Sequence, residues 1–264
     1  MNDFIIILPT HSDYIGITKN FIQLLRKNWP DCPFEIVVSV TGELVKVDKV
    51  KNLYNGKNAS LIDCVVNVAK KYKKKYYLSF LGDAFINGRI DNVEIQKILK
   101  SLLKNKVAYC SLLNVKNYKK KKNFDKQMRY INGLDRYSHN FTAFAASYDF
   151  VKRDLSLYKT DLDFEKEYLS ETRNFYYDDR LVLRKNYFKL LPSIVKGEWD
   201  RINYKKLVAN NPEIKFETRK FQSLKNTMLC HTRNVIVMHL PAFLRIRLKS
   251  ATERIFGLKF GVEG

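Results

Sequence analysis

Short apolar runs alternate with amphipathic stretches along the first half of the chain. The runs predict buried strands at 4–8, 34–40, 76–81 and 107–113. Apolar residues at helical spacing predict helices between them at 15–28, 59–71 and 91–104. This alternation is typical of a mostly parallel sheet covered by helices. We therefore predict an α/β, Rossmann-like fold.

The pattern changes after the fourth predicted strand. A basic segment, "KNYKKKKNFDKQMR" at 116–129, is either a solvated loop or a lid that faces an anion. A further strand at 141–147 and a helix at 148–158 follow, and acids then gather between 161 and 171. We expect one domain over 1–218 and a basic helical tail over 219–264.

The tail predicts a basic amphipathic helix. Apolar residues recur there at steps of three or four, and basic residues lie mostly off that face; the apolar positions are Leu240, Leu244, Leu248, Ala251, Ile255 and Leu258. Such a helix either binds an anionic membrane surface through 238–260 or docks on the domain with its basic face in water. The sequence leaves both readings open.

Charge and composition limit the classes of partner. The 264 residues carry a net charge of +21, which suits phosphate-bearing substrates, an anionic membrane or nucleic acid. Apolar runs fall short of the roughly 20 residues that cross a bilayer, and the N-terminus lacks the pattern of a signal peptide. We therefore expect a cytoplasmic protein, peripheral at most to the inner membrane. The four cysteines lie far apart, so neither a zinc site nor a disulfide framework is expected.

Several common catalytic motifs are missing from the sequence. It contains no glycine-rich nucleotide fingerprint and no serine nucleophile elbow. The histidines, His11, His139, His231 and His239, share no metal-ligand spacing. Carboxylates at a strand edge are the remaining candidates.

Asp83 is the best placed of these carboxylates. It follows the strand at 76–81 directly, and ligands of open α/β sheets bind where the strands end. We expect it to share one crevice with His11, Ser12 and Asp13 after the first strand and Thr41 after the second. A single carboxylate can hold Mg²⁺ or Mn²⁺ when a substrate diphosphate supplies the other oxygens.

Several segments, in order, resemble bacterial glycosyltransferases of the GT-A, nucleotide-diphospho-sugar transferase type, which serve capsule, O-antigen and lipooligosaccharide synthesis. The resemblance covers residues 4 to about 208. It is carried by the segments "ILPTHSDYIGITKNFIQLLRKNWPDCPFEIVV", "YYLSFLGDAFINGRIDN", "FTAFAASYDFVKRDL", "LDFEKEYLSE" and "IVKGEWDRINYKKL". It implies a GT-A-like fold and transfer of a sugar from a nucleotide-diphospho-sugar to a hydroxyl of a growing, lipid-linked surface glycan.

The resemblance also implies roles for individual residues on the donor side. Thr10 and Asp13 would lie near the donor's base or ribose, and Asp83 would take the metal-diphosphate role. A loop of Lys196, Gly197 and Trp199 would close over donor and acceptor.

On the catalytic side, Glu165 matches the final acid of the family's Trp-acid-Phe-Glu segment and would be the general base, which favours an inverting reaction. Asp163, in the same segment, is the second catalytic candidate. Leu162 stands where that segment has Trp, which bears on the acceptor pocket, and Gly82 stands where a second acid is usual, which bears on metal dependence.

Three alternatives stay open. Lys and Arg residues of 116–129 would neutralise the leaving diphosphate if no metal is used. The chain could be an inactive scaffold with this fold, as Gly82 suggests. A basic nucleic-acid-binding module fits the charge, although no motif of that class occurs in the sequence, and we expect no nucleic-acid partner.

Overall fold

The fold is that of a computed structural model, which describes residues 2–114, 122–132, 139–166 and 176–239. The chain divides into two compact units, Met1–Phe221 and Gln222–Gly264. The first unit has an eight-stranded, mostly parallel sheet flanked by helices, so the predicted α/β fold class is confirmed.

The strands of the first unit are β1 (Phe4–His11), β2 (Ile36–Thr41), β3 (Lys51–Tyr54), β4 (Tyr76–Phe80), β5 (Ala84–Ile86), β6 (Tyr109–Ser111), β7 (Met128–Asn132), β8 (Ala143–Ser147), β9 (Tyr176–Leu183), β10 (Leu190–Pro192), β11 (Ile194–Val195) and β12 (Glu198–Trp199). The main sheet has the order β3-β2-β1-β4-β8-β6-β9-β7. Within it, β7 and β8 run opposite to the other six strands. We call the edge at which those six strands end the carboxyl edge. Separately, β5 pairs with β10 and β11 pairs with β12.

The helices of the first unit are α1 (Ile15–Asn28), α2 (Leu61–Tyr72), α3 (Asn92–Lys104), α4 (Tyr148–Arg153), α5 (Asp161–Glu165) and α6 (Arg201–Asn210). Local sequence explains where several of these helices begin. Ser60 caps α2 in a reciprocal capping box with Asp63, and the Asp91 carboxylate accepts from two amides of α3. Each such cap contributes about 1 kcal/mol to helix stability.

Apolar side chains cover both faces of the main sheet. One core joins α1 and α3 to the sheet, around Phe21, Phe80 and Leu99. The other joins α2, α4 and α5 to the opposite face, around Val65 and Phe164. This two-sided burial explains why β1 begins as a continuous apolar run rather than an alternating one.

The predicted elements are present, with two corrections. Parallel strands would all end at one edge, but the strand predicted at 141–147 is β8, which is antiparallel to both neighbours, so its start lies at the carboxyl edge. The helix predicted over 148–158 ends at Arg153, and a short 3₁₀ turn at Leu155–Leu157 follows it.

The second unit contains α7 (Leu224–His239). The basic amphipathic helix predicted beyond it falls on residues 240–264, outside the described part of the chain. Among the described helices, none combines the length and apolarity that a membrane crossing requires.

Candidate functional site

The ends of β1 and β2 form one side of a crevice at the carboxyl edge. Their last paired residues are His11 and Thr41. Beyond them, the Ser12 hydroxyl accepts a hydrogen bond from the Glu43 amide at 3.0 Å. A Cβ added to Gly42 would lie 2.5 Å from that hydroxyl oxygen, and Gly42 has a φ of +88°, so only glycine fits this turn. Two strand ends predicted to meet therefore do meet.

Thr10 and Asp13 occupy different depths of this side. Thr10 is buried, and its hydroxyl accepts from Thr18 at 2.9 Å and donates to the His11 carbonyl. The Asp13 side chain is 77 % exposed and lies 3.4 Å from Nδ1 of His11. Thr10 thus ties β1 to α1, whereas the Asp13 carboxylate faces solvent, where a ligand can reach it. Their contact with a donor stays a prediction.

Asp83 follows the end of β4, beside β1. The last pair between β1 and β4 is Ile7 with Ser79, and Asp83 lies in the turn that leads from β4 to β5. The Asp83 carbonyl accepts from the Ser193 amide at 2.9 Å, which fastens it to the segment before β11. Its Oδ1 atom is buried and makes no hydrogen bond.

The ionisation of Asp83 reflects this setting. Burial raises the pKa of its carboxyl group from 3.8 to about 7 against the backbone amides of Asp83 and Ala84, which lower it. The charges of Glu165 and Asp161 also act to raise the Asp83 pKa, and the value of about 7 includes their effect. A buried oxygen with no partner, beside other acids, is a site that favours a cation.

Gly82 has a packing reason to be glycine. It is buried, and a Cβ at this position would lie 3.2 Å from the backbone Cα of Thr18 in α1. That contact is tighter than side chains normally make, because α1 passes directly behind the strand end. The side chain of a second acid at position 82 would leave the backbone in the direction of α1. The crevice therefore has one carboxylate at this strand end.

The short helix α5 brings Glu165 toward Asp83. Phe164 anchors the helix through ring contacts with a group of aromatic residues: Tyr109, His139, Phe141, Phe144, Phe150 and Tyr158. Next to it, Oε1 of Glu165 accepts from the Phe141 amide at 2.8 Å, at the start of the reversed strand β8. Burial raises the pKa of Glu165, the Phe141 amide lowers it, and Asp161 raises it. Glu165 is thus held with a raised pKa, as a general base requires.

Asp163 and Leu162 lie on the outer side of α5. The Asp163 carboxylate accepts from the Thr160 amide at 3.1 Å, and the Thr160 hydroxyl accepts from the Asp163 amide, which completes a capping box. Both Asp163 and Leu162 are exposed. Asp163 stabilises the start of the helix in this structure, and its catalytic role stays a prediction.

The predicted loop of Lys196, Gly197 and Trp199 is a tight hairpin between β11 and β12. Lys196 and Gly197 form its turn, with φ values of +51° and +81°. Trp199 is only 1 % exposed, and its ring stacks on Phe85 at 5.5 Å. Trp199 therefore anchors the hairpin to β5, the strand that begins directly after Asp83. Contact of these three residues with a donor stays a prediction.

Tyr14 and Arg219 join the site without having been predicted. A Cβ on Gly197 would lie 3.0 Å from the Tyr14 hydroxyl, so the hairpin turn reaches the residue beside Asp13. The Arg219 guanidinium lies 4.3 Å from the Tyr14 ring centre and donates a hydrogen bond to the Asp13 carbonyl. No spacing rule could have linked Tyr14 with Arg219, because they are far apart in sequence.

The donor set for a metal is small. Among the described residues, no three His, Cys, Asp or Glu side chains gather closely enough to hold a metal ion by themselves. Asp83 alone, with its buried Oδ1, fits the Mg²⁺ or Mn²⁺ chemistry in which substrate oxygens and water complete the shell.

The thiols of Cys32, Cys64 and Cys110 are free, and burial raises the pKa of each. His139 is buried against Tyr109 and Phe164.

Comparison with known proteins finds similarity only at the level of structure. No protein-family model and no curated protein matches the chain. A cytidylyltransferase from Leptospira borgpetersenii aligns with a TM-score of 0.45 and 14 % identity, over 91 % of this chain and 98 % of that one. S. aureus TarS aligns with a TM-score of 0.45 and 14 % identity over 99 % of this chain, which spans 46 % of TarS. The galactosyltransferase LgtC, in complex with donor and acceptor sugar analogs, aligns with a TM-score of 0.37 and 9 % identity, over 68 % and 72 %. These values mark distant structural neighbours.

Proposed function

We propose that the chain is a glycosyltransferase that moves a sugar from a nucleotide-diphospho-sugar to a hydroxyl group of a glycan. The observation that carries this proposal is the approach of two carboxyl groups at the carboxyl edge. Oε1 of Glu165 in α5 accepts from the Phe141 amide, and the carbonyl of the next residue, Thr142, accepts from the Leu81 amide at 2.8 Å, two residues before Asp83. The charge of Glu165 contributes to the raised pKa of Asp83. Two acids in different environments at one ligand-binding edge suit a reaction that needs both charge stabilisation and a base.

Asp83 is assigned to the donor diphosphate. Its buried Oδ1 would hold Mg²⁺ or Mn²⁺ together with diphosphate oxygens, and the metal would supply positive charge for the leaving group. The Asp13 carboxylate, exposed on the neighbouring strand end, and the Lys196–Gly197 turn border the space that the rest of the donor would fill.

Glu165 is assigned to the acceptor. It takes the proton of the attacking hydroxyl group as that oxygen bonds to the anomeric carbon, while the bond from this carbon to the diphosphate oxygen breaks. The nucleoside diphosphate leaves with the electron pair. The raised pKa of Glu165 supports this role, since a stronger base accepts the proton more readily. Direct displacement of this kind inverts the configuration at the anomeric carbon.

The proposal also covers the acceptor and the place in the cell where the enzyme acts. A lipid-linked surface glycan at the inner face of the membrane suits a cytoplasmic enzyme whose basic segment at 238–260 binds anionic lipid. The net charge of +21 supports such a partner.

A screen of nucleotide sugars tests the proposal. We expect one of the UDP-, GDP-, CMP- or dTDP-sugars to raise the melting temperature, more so with Mn²⁺, and to release the free nucleotide of a transfer reaction. Release of pyrophosphate from CTP and a sugar would indicate a nucleotidyltransferase instead. Loss of the shift in Asp83→Asn, with retention in the exposed control Asp31→Asn, would place the ligand at Asp83. No response to any donor would refute the proposal.

Two rival functions make different predictions. A Cβ at position 82 would press on Thr18, so packing is a second reason for the glycine besides an inactive scaffold. A nucleic-acid-binding module would bind single- or double-stranded oligonucleotides with a steep dependence on salt and would ignore sugar nucleotides.

A further inference from the structure

A cavity rich in positive charge lies at the carboxyl edge, away from Asp83. Its volume is about 410 Å³, and its lining consists of one amide and four basic residues: Asn123, Lys126, Arg129, Arg184 and Lys185. We call it the cationic cavity. Its size falls within the range of small-molecule sites, which is about 300–1,000 Å³.

The fold fixes where this cavity sits. Arg184 and Lys185 directly follow β9, and Arg129 lies in β7 opposite Val182 of β9. In the main sheet, β9 is three strands from β4. At a spacing of 4.7–4.9 Å, this corresponds to about 14 Å. The cavity is therefore a second place on the same edge, and Asp83 does not line it.

Local contacts hold Arg184, and Arg129 is buried in the wall. The Arg184 amide donates to the Gln127 carbonyl at 2.8 Å, and the Arg184 carbonyl accepts from the Asn114 side chain at 2.8 Å. Nη1 of Arg184 donates to the backbone carbonyl of Asp125 at 3.2 Å. Arg129 is 5 % exposed, so its guanidinium lies within the wall rather than in bulk solvent.

Asp125, an acid that lies between Asn123 and Lys126 in the sequence, binds other partners through its carboxylate. The Asp125 carboxylate accepts from the amides of Gln127 and Met128 and from the Ser101 hydroxyl. The described lining of the cavity includes no carboxylate. Arg129 has a partner within the protein, and the exposed charges of Lys126, Arg184 and Lys185 around one concave space favour an anion over a neutral ligand.

We propose that the cationic cavity binds a phosphate or carboxylate group carried by the acceptor, so that the acceptor is an anionic glycan. This inference rests on the proposed glycosyltransferase function. The donor diphosphate is assigned to Asp83, about three strands away, and the Glu165 base lies beside β8, between β4 and the cavity. An acceptor whose hydroxyl group meets Glu165 can extend along the edge and place an acidic group in the cavity.

The test compares two double variants of the full chain that each remove two positive charges. Arg184→Gln with Lys185→Gln changes the cavity, and Lys205→Gln with Lys206→Gln changes an exposed adjacent pair on α6. Calorimetric titration with inorganic phosphate should show about tenfold weaker binding for the cavity variant and unchanged binding for the α6 variant. Equal weakening in both variants, or no binding to the unmodified protein, would overturn the inference.

Two further measurements distinguish an anion carried by the donor from one carried by the acceptor. Binding of UDP, GDP and CMP should be the same in all three proteins; if the cavity variant loses nucleotide binding as well, the cavity serves the donor and the acceptor inference fails. On an array of neutral, uronic-acid-bearing and phosphorylated glycans, the unmodified protein should retain the acidic ones and the cavity variant should not. Equal retention of neutral glycans would also overturn the inference. If no sugar nucleotide binds any of the proteins, the proposed function fails, whereas loss of phosphate binding in the cavity variant alone would still identify an anion site.

Discussion

Replacing Asp83 with Asn should make the ligand-free protein more stable at neutral and alkaline pH. The carboxyl group is held where burial and the charges of Glu165 and Asp161 oppose its ionisation. Asparagine has nearly the same shape and never ionises, so the variant avoids this cost. The same substitution should abolish the effect of donor and metal, because it removes the charge that they need.

The size of the effect follows from the pKa of Asp83, which is about 7 in the folded chain against an ordinary value of 3.8. The difference is about three pH units, and each unit corresponds to about 1.4 kcal/mol. The variant should therefore gain up to about 4 kcal/mol at high pH. This figure is an upper limit, because the residue keeps part of its surface exposed.

The gain has a defined pH window. Below pH 3.8 the Asp83 carboxyl is protonated in both the folded and unfolded chains, so the two proteins should be equally stable. As the pH rises, the unfolded chain loses its proton first, and the stability of the unmodified protein falls relative to the variant until the pH passes about 7. Above that, the difference is constant. Titrations of groups that do not interact with Asp83 are common to both proteins and cancel.

Urea unfolding at a series of pH values between 4 and 8.5 measures this difference. In a thermal melt of a chain of this size, a gain of about 4 kcal/mol in the free energy of unfolding would raise the melting temperature by roughly 8–16 °C. The exposed Asp31→Asn variant is the control and should show no such pH-dependent gain. A constant difference between Asp83→Asn and the unmodified protein across the series, or a loss of stability at pH 8, would refute the reasoning.

Three other changes test separate parts of the site. Glu165→Gln should reduce transfer by about 10²–10⁴-fold and leave donor binding intact, and transfer by the unmodified protein should decline as the pH falls through the raised pKa of Glu165; full activity of the variant would rule out the base assignment. Gly82→Asp should cost about 1–3 kcal/mol in urea unfolding, because its Cβ would press on Thr18, and should not tighten Mn²⁺ binding; a tighter metal site would show that the added acid does reach the crevice. Ending the chain after His239 should release the protein from anionic vesicles in a flotation assay, and retained binding would assign the membrane contact to another surface.

Sequence periodicity predicted the framework of the fold because the framework is buried on both faces. The predicted helix at 15–28 coincides with α1, and the run at 76–81 extends one residue beyond β4. Asp83 could be placed at the carboxyl edge for the same reason, since the order of strand and helix implies parallel strands whose ends meet. The strands at 51–54, 128–132 and 176–183 were not predicted.

The rest of the site depends on contacts between distant parts of the chain. The reversed direction of β8 brings the Phe141 amide to Glu165, and the sequence of 141–147 alone does not state that direction. Likewise, Tyr14 meets Arg219 only after the intervening chain has folded. The meaning of Gly82 also changed with the fold, because only the path of α1 shows that Thr18 fills the space of a side chain.

Asp83 and Glu165 have different surroundings, which suit the two different roles proposed for them. Oε1 of Glu165 accepts a hydrogen bond from the Phe141 amide, whereas Oδ1 of Asp83 accepts none, and the charge of Glu165 opposes ionisation of Asp83. With a pKa of about 7, Asp83 is partly protonated near neutral pH in the ligand-free site. A divalent cation arriving with a diphosphate would reverse the balance at Asp83, because positive charge favours the carboxylate. If Asp83 binds the donor diphosphate as proposed, donor binding and ionisation of Asp83 would be coupled.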